Sequence, residues 1–214
     1  MKITQLLYFI LLTSISFSQK KILKKVELNT DEVVIYSAGL DDLVLKNSES
    51  NSVEVVLLAE SYDDQIIKIN ESKSELNINF YFEGTETREV IFRKFITKRL
   101  QRANAVISIP KNKKVVVYGE NVDVESKNLE NNLGIFIDNG IIKLNSPQKN
   151  TDVKLYAGNV FLNNKSAQID IKSNLGNIKV DEILHEKNYE RKVNTINKLI
   201  TIQSIKANIF LTTN

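Results

Sequence analysis

The sequence predicts an all-β protein: a single-stranded parallel β-solenoid of about five coils, preceded by a strand-rich N-terminal part. Three observations carry that expectation. Short β-branched runs separated by Asn, Asp, Ser, Lys and Gly follow one another along the chain. Aliphatic residues return in fixed columns from Val115 onward, and only Pro110 and Pro147 interrupt the 214 residues. With 42% hydrophobic and 26% charged residues the composition forms a core and excludes disorder, collagen and coiled coil. The 29 Lys and Arg exceed the 26 Asp and Glu by a formal charge of +3, too small an excess to point to nucleic acid. The chain has no cysteine, so disulfides, thiolate nucleophiles and cysteine metal sites are excluded, and its single histidine excludes multi-histidine sites. No metal, cofactor or catalytic residue is expected.

Residues 1–18 read as a secretory signal peptide. Lys2 precedes the apolar run Leu6 to Leu12, and Ser16 and Ser18 are the small residues a signal peptidase reads before a cut after Ser18. The run is far short of the roughly 20 residues that span a bilayer. Export to the periplasm, outer surface or medium is the expectation. Residues 19–110 form the N-terminal β-rich part, with runs at Val33 to Tyr36, Leu43 to Leu45, Val53 to Leu58, Ile66 to Ile69, Leu76 to Phe82 and Val106 to Ile109. Alternation in Leu76, Ile78 and Phe80, with Asn77 and Asn79 between, puts one set of side chains inside and the other in solvent.

Residues 111–214 carry the repeat. Val115, Ile135, Val153, Ile171 and Ile202 form one column; Val122, Ile142, Val160, Ile178 and Ile209 a second; Val124, Leu144, Leu162, Val180 and Leu211 a third. Each column has spacings of 20, 18, 18 and 31, so an insertion lies within 182–198. Gly140, Gly158 and Gly176, with Ala207 in the last coil, precede a polar column of Asn121, Asn159, Asn177 and Asn208, with Ile141 the exception, that marks a tight corner. A second corner falls at Asn145, Asn163, Asp181 and Thr212. One unit buries too few aliphatics to offset the entropy of ordering about 18 residues, so units must stack in parallel about 4.8 Å apart.

The segment Ala105-Val106-Ile107-Ser108-Ile109-Pro110, the run Val115 to Tyr118, and the repeats Gly158-Asn159-Val160-Phe161-Leu162 and Gly176-Asn177-Ile178-Lys179-Val180 resemble a bacterial family of secreted or envelope β-strand-repeat proteins named putative adhesins, of unknown function. The resemblance implies a β-solenoid-like fold, an extracytoplasmic life and no reaction. A right-handed coil is the expectation, from the resemblance and because a left-handed hexapeptide helix would need an apolar residue every six positions, a pattern that Val160, Ser166 and Lys172 break. Where the family has Gly this chain has Ala207, and its last coil is interrupted by the insertion.

Five features bear on function. His185 sits in the insertion beside Glu186 and Glu190 and reads as a solvated loop histidine. Asp152 and Asp170, each followed two residues later by Lys154 or Lys172, are aligned in what sequence order makes adjacent coils. At about 5 Å such carboxylates can serve a polysaccharide lyase or hydrolase, or form a charged ladder neutralised by the lysines. The stretch from Arg88 to Arg102 concentrates Arg88, Arg93, Lys94, Lys98, Arg99 and Arg102 among Phe92, Phe95, Ile96 and Leu100. It suits either an anionic glycan or lipid surface, or a solvated cover over the first coil. Phe161 and Phe210 share an outward column with Lys143 and Lys179, near Phe136 and Tyr156; such aromatics stack on sugars or on a partner protein unless another part of the chain covers them. The last strand ends near the C-terminus with nothing obvious to cap it, which invites self-association through an open end. The expected function is a non-enzymatic, adhesin-like binding or scaffolding module of the cell envelope whose partner is an envelope protein or an anionic glycan or lipid surface. A carbohydrate-active enzyme is the alternative.

Overall fold

A computed structural model describes residues 20–59, 64–83, 103–193 and 198–213. The expected signal segment lies outside them. Among the described residues the chain is all-β, without a helix. Its strands are β1 (Lys20–Glu27), β2 (Glu32–Tyr36), β3 (Asp42–Asn47), β4 (Ser52–Ala59), β5 (Asp64–Glu71), β6 (Glu75–Glu83), β7 (Ala103–Ile109), β8 (Lys114–Asn121) and β9 (Asp123–Lys127). They continue with β10 (Asn132–Asn145), β11 (Thr151–Asn163), β12 (Gln168–Ser173), β13 (Ile178–Val180), β14 (Ile183–His185), β15 (Asn188–Arg191), β16 (Leu199–Ser204) and β17 (Asn208–Thr212).

These strands form two faces joined by a corner. The first face runs β5-β6-β2-β8-β10-β11-β16-β12-β15, using the first half of the long strands β10 and β11. The second runs β1-β4-β7-β3-β9-β10-β11-β17-β13-β14, using their second half. From β6 to β12, and from β7 to β13, every neighbour is parallel; the outermost strands at both ends are antiparallel. Alternate residues point between the faces, and the buried aliphatics of both join one core.

Stacking follows the expected columns, with two corrections. The partner of Ile135 is Val117, not Val115, and the partner of Ile142 is Val124, not Val122. The first repeat is therefore offset by 18 residues like the next, and its inward row ends on Ser126, beside Leu144, instead of Val124. Polar partners shift with it: Asn121 faces Asn139.

The second correction concerns order. β16 lies between β11 and β12, and β17 between β11 and β13, so the last segment of chain is an interior rung. The inner column runs Val117, Ile135, Val153, Ile202, Ile171, all fully buried. The same leap occurs earlier, where β2 sits between β6 and β8. A chain winding coil after coil in sequence order does not describe this topology. The expected open end at the last coil is likewise corrected: the end rung is β12 with β13, and the insertion supplies β15 and β14 to cover it.

Corners explain the glycines. At Gly140 and Gly158 φ is +151° and +127°, values that L side chains rarely adopt. A Cβ on Gly158 would lie 2.0 Å from the Gly140 carbonyl oxygen, and one on Gly140 as close to that of Val122. Asparagines tie the rungs beside them: Asn208 Nδ2 donates to Asn159 Oδ1 at 3.2 Å, and Asn177 N donates to Asn208 Oδ1 at 3.1 Å. At the second corner Asp181 accepts from Thr213 N at 2.8 Å and from the Thr213 hydroxyl, which holds its carboxyl below the usual carboxylate range.

Gly158→Ala should cost on the order of 3 kcal/mol in chemical denaturation, because the added carbon meets backbone that cannot yield. Ser126 is fully buried and its Oγ has no hydrogen-bond partner, so Ser126→Ala should raise stability by about 1 kcal/mol in the same assay. Asp181 contributes stability above its unfolded pKa of 3.8 that is lost as pH falls through the lower folded value. Asp181→Asn should therefore lower the melting temperature at pH 7, with the difference vanishing in strong acid.

Candidate functional site

Strand alternation that buries Ile35, Val117 and Ile135 turns the next residues, Tyr36, Tyr118 and Phe136, outward on the first face. Parallel register sets the three side by side. Tyr36 and Tyr118 stack at 5.7 Å between centroids and 23°, Tyr118 and Phe136 at 5.5 Å and 25°. These separations exceed the roughly 3.5–4 Å contact distance of carbon atoms, so the rings overlap like shingles and leave part of each face open. Tyr36 is 41% and Tyr118 43% exposed. The row continues to Lys154, whose Nζ lies 5.7 Å from the Phe136 centroid, then to Gln203 and Lys172.

Two surface troughs meet along this row. One of about 690 Å³ is bordered by Tyr118, Gly134, Phe136, Asp152, Lys154 and Thr201. Gly134 opens it: a Cβ there would come 3.0 Å from Phe136 Cε2. The other, about 650 Å³, is bordered by Phe136, Lys154, Tyr156, Lys172, Gln203 and Ile205. Lys114 at the rim is tied to Glu32 at 2.9 Å, and that bond raises its pKa above the ordinary lysine value.

On the second face, register orders the expected column as Lys143, Phe161, Phe210, Lys179. The phenyl rings stack at 5.0 Å and 11°, and Phe161 is 42% exposed, so nothing among the described residues covers it. Lys179 Nζ is 3.9 Å from Glu182.

Asp152 and Asp170 are not neighbours. Asp152 pairs with Thr201 and Thr201 with Asp170, so a whole rung separates the carboxylates, and Asp170 faces Glu190 on its other side. The close pair expected from sequence order does not form. His185 packs edge-on against Tyr189 at 4.8 Å between centroids and 63°. Among the described residues no three His, Asp or Glu converge as a metal site. Arg88, Arg93, Lys94, Lys98, Arg99 and Arg102 lie outside the described residues. Sequence reasoning missed the Tyr36–Tyr118–Phe136 row; the offset of 18 residues from Tyr118 to Phe136, Lys154 and Lys172 is the signal that marks its second part.

No protein-family model and no curated protein sequence matches the chain significantly. Among solved structures, a putative cell adhesion protein from Clostridium sporogenes is 14% identical with a TM-score of 0.65, over 91% of this chain and 100% of that one. Two putative adhesins are more distant. One from Bacteroides fragilis has 8% identity and a TM-score of 0.32 over 92% of this chain and 98% of its own; one from Parabacteroides merdae has 11% and 0.27 over 91% and 97%. The Clostridium likeness shows a shared fold.

Proposed function

We propose that this chain is a non-enzymatic, adhesin-like binding module of the bacterial cell envelope, exported by cleavage after Ser18 and built as a parallel, solenoid-like stack whose exterior presents contacts. The observation that supports it best is the row Tyr36–Tyr118–Phe136–Lys154, exposed on a sheet and bordered by two troughs. Parallel ladders on both sides fix these side chains before a ligand arrives, so binding loses little conformational entropy. Offset rings with open faces and flanking amide and ammonium donors suit the apolar faces and hydroxyls of sugars.

An adhesin-like role accords with the fold shared with a protein described as a putative cell adhesion protein. The enzyme alternative rested on Asp152 and Asp170 as a close pair, and Thr201 stands between them.

The test is retention of the full chain on a panel of immobilised neutral and acidic polysaccharides. Tyr118→Ala combined with Phe136→Ala should weaken retention on the bound member at least tenfold, with an unaltered melting profile. Retention on none of them, or retention indifferent to the two rings, would overturn the reading. Release of shorter saccharides that stops with Asp152→Asn would restore the enzyme.

A further inference from the structure

Several surface lysines have no carboxylate within 4 Å among the described residues, and of these Lys154 and Lys172 are the two that border a common trough. Interposition of β16 sets their separation. Lys154 pairs with Gln203 and Gln203 with Lys172, so the lysines are two rungs apart, about 9.6 Å along the stack. As direct neighbours at about 4.8 Å they would repel each other more strongly. Both border the trough of about 650 Å³, whose apolar side includes Phe136 and the half-exposed ring of Tyr156. Lys206 Nζ lies 5.0 Å over that ring and adds a third cation at the rim. Among the described residues Asp138 is the single carboxylate bordering the trough, and Asp152 and Asp170 lie in the neighbouring column.

From this geometry, and resting on the binding-module reading, we infer that the trough takes an extended acidic polysaccharide with a carboxylate on alternate sugars. An extended pyranoside chain advances by close to one strand spacing per residue. Laid along the stack, it brings every second sugar opposite a lysine while the intervening sugar faces the Gln203 amide. Phe136 and Tyr156 supply surfaces for the apolar sides of the rings. A charge on every sugar would place one carboxylate opposite the neutral amide, and an uncharged chain would leave both lysines unpaired. The row thus reads charge period as well as charge sign.

Binding of the full chain to hyaluronan, which carries a uronate on alternate residues, tests this against carboxyl-reduced hyaluronan and polygalacturonate. Hyaluronan should bind at least tenfold more tightly than its carboxyl-reduced form, and its affinity should fall as salt rises. Lys154→Gln and Lys172→Gln should each lose about tenfold, while Lys127→Gln, on the second face, changes nothing. Equal affinity for hyaluronan and its reduced form, tighter binding of polygalacturonate, or indifference to both lysine changes would overturn the inference. So would lysine-dependent retention on phosphatidylglycerol vesicles without hyaluronan binding. If reduced and native glycans bind alike and both need Tyr118 and Phe136, the acidic assignment falls and the binding module stands; if no glycan binds, both fall.

Discussion

Aliphatic side chains aligned across parallel rungs are the interaction on which everything else in this protein depends. A rung such as β16 with β17 has no core of its own. Ile200, Ile202, Ile209 and Leu211 are buried because a rung lies on each side. Removing one such side chain costs about 2–5 kcal/mol elsewhere, so the few per rung decide whether a rung is held. The backbone ladder aligns them, and the aliphatic rows forbid a one-residue slip, which would turn each core residue outward.

Rung order turns this repetitive core into a particular surface. Because the last segment returns between β11 and β12, Thr201 separates two aspartates and Gln203 separates two lysines. The insertion gives the chain the length to come back and supplies β14 and β15 over the end it leaves behind. Exposed parallel edges pair readily with other chains; short, polar, antiparallel strands such as β15 blunt that tendency. Glycine at the corner lets successive rungs approach to carbonyl contact, so the long strands bend without breaking their ladders.

The all-β class, the inward columns and both corners were legible in the sequence because each depends on residue type at a fixed offset. The slip at the first repeat has a physical origin. A shift of two residues keeps every side chain on the same face, and placing Val124 in the inward row scores better than placing Ser126, the buried hydroxyl that stands there. Rung order was not legible, since Ile202 stacks as well on Val153 as on Ile171 and apolar rows carry no address. The Phe161–Phe210 pair was visible because its repeats were aligned correctly; the stack of Tyr118 on Phe136 was hidden by the slip, and that of Tyr36 on Tyr118 by the long excursion through β4 to β7. The strand β15 escaped notice because Glu190 and Arg191 leave it without an apolar alternation, and β14 because three residues are too few to show one.

Hydrogen–deuterium exchange of the full chain tests the interior placement of the C-terminal rung most directly. Backbone amides of Leu199–Ser204 and Asn208–Thr212 are predicted to exchange as slowly as those of Thr151–Asn163, and more slowly than those of β14 and β15. Fast exchange in these two segments, with Thr151–Asn163 and Gln168–Ser173 still protected, would contradict the account.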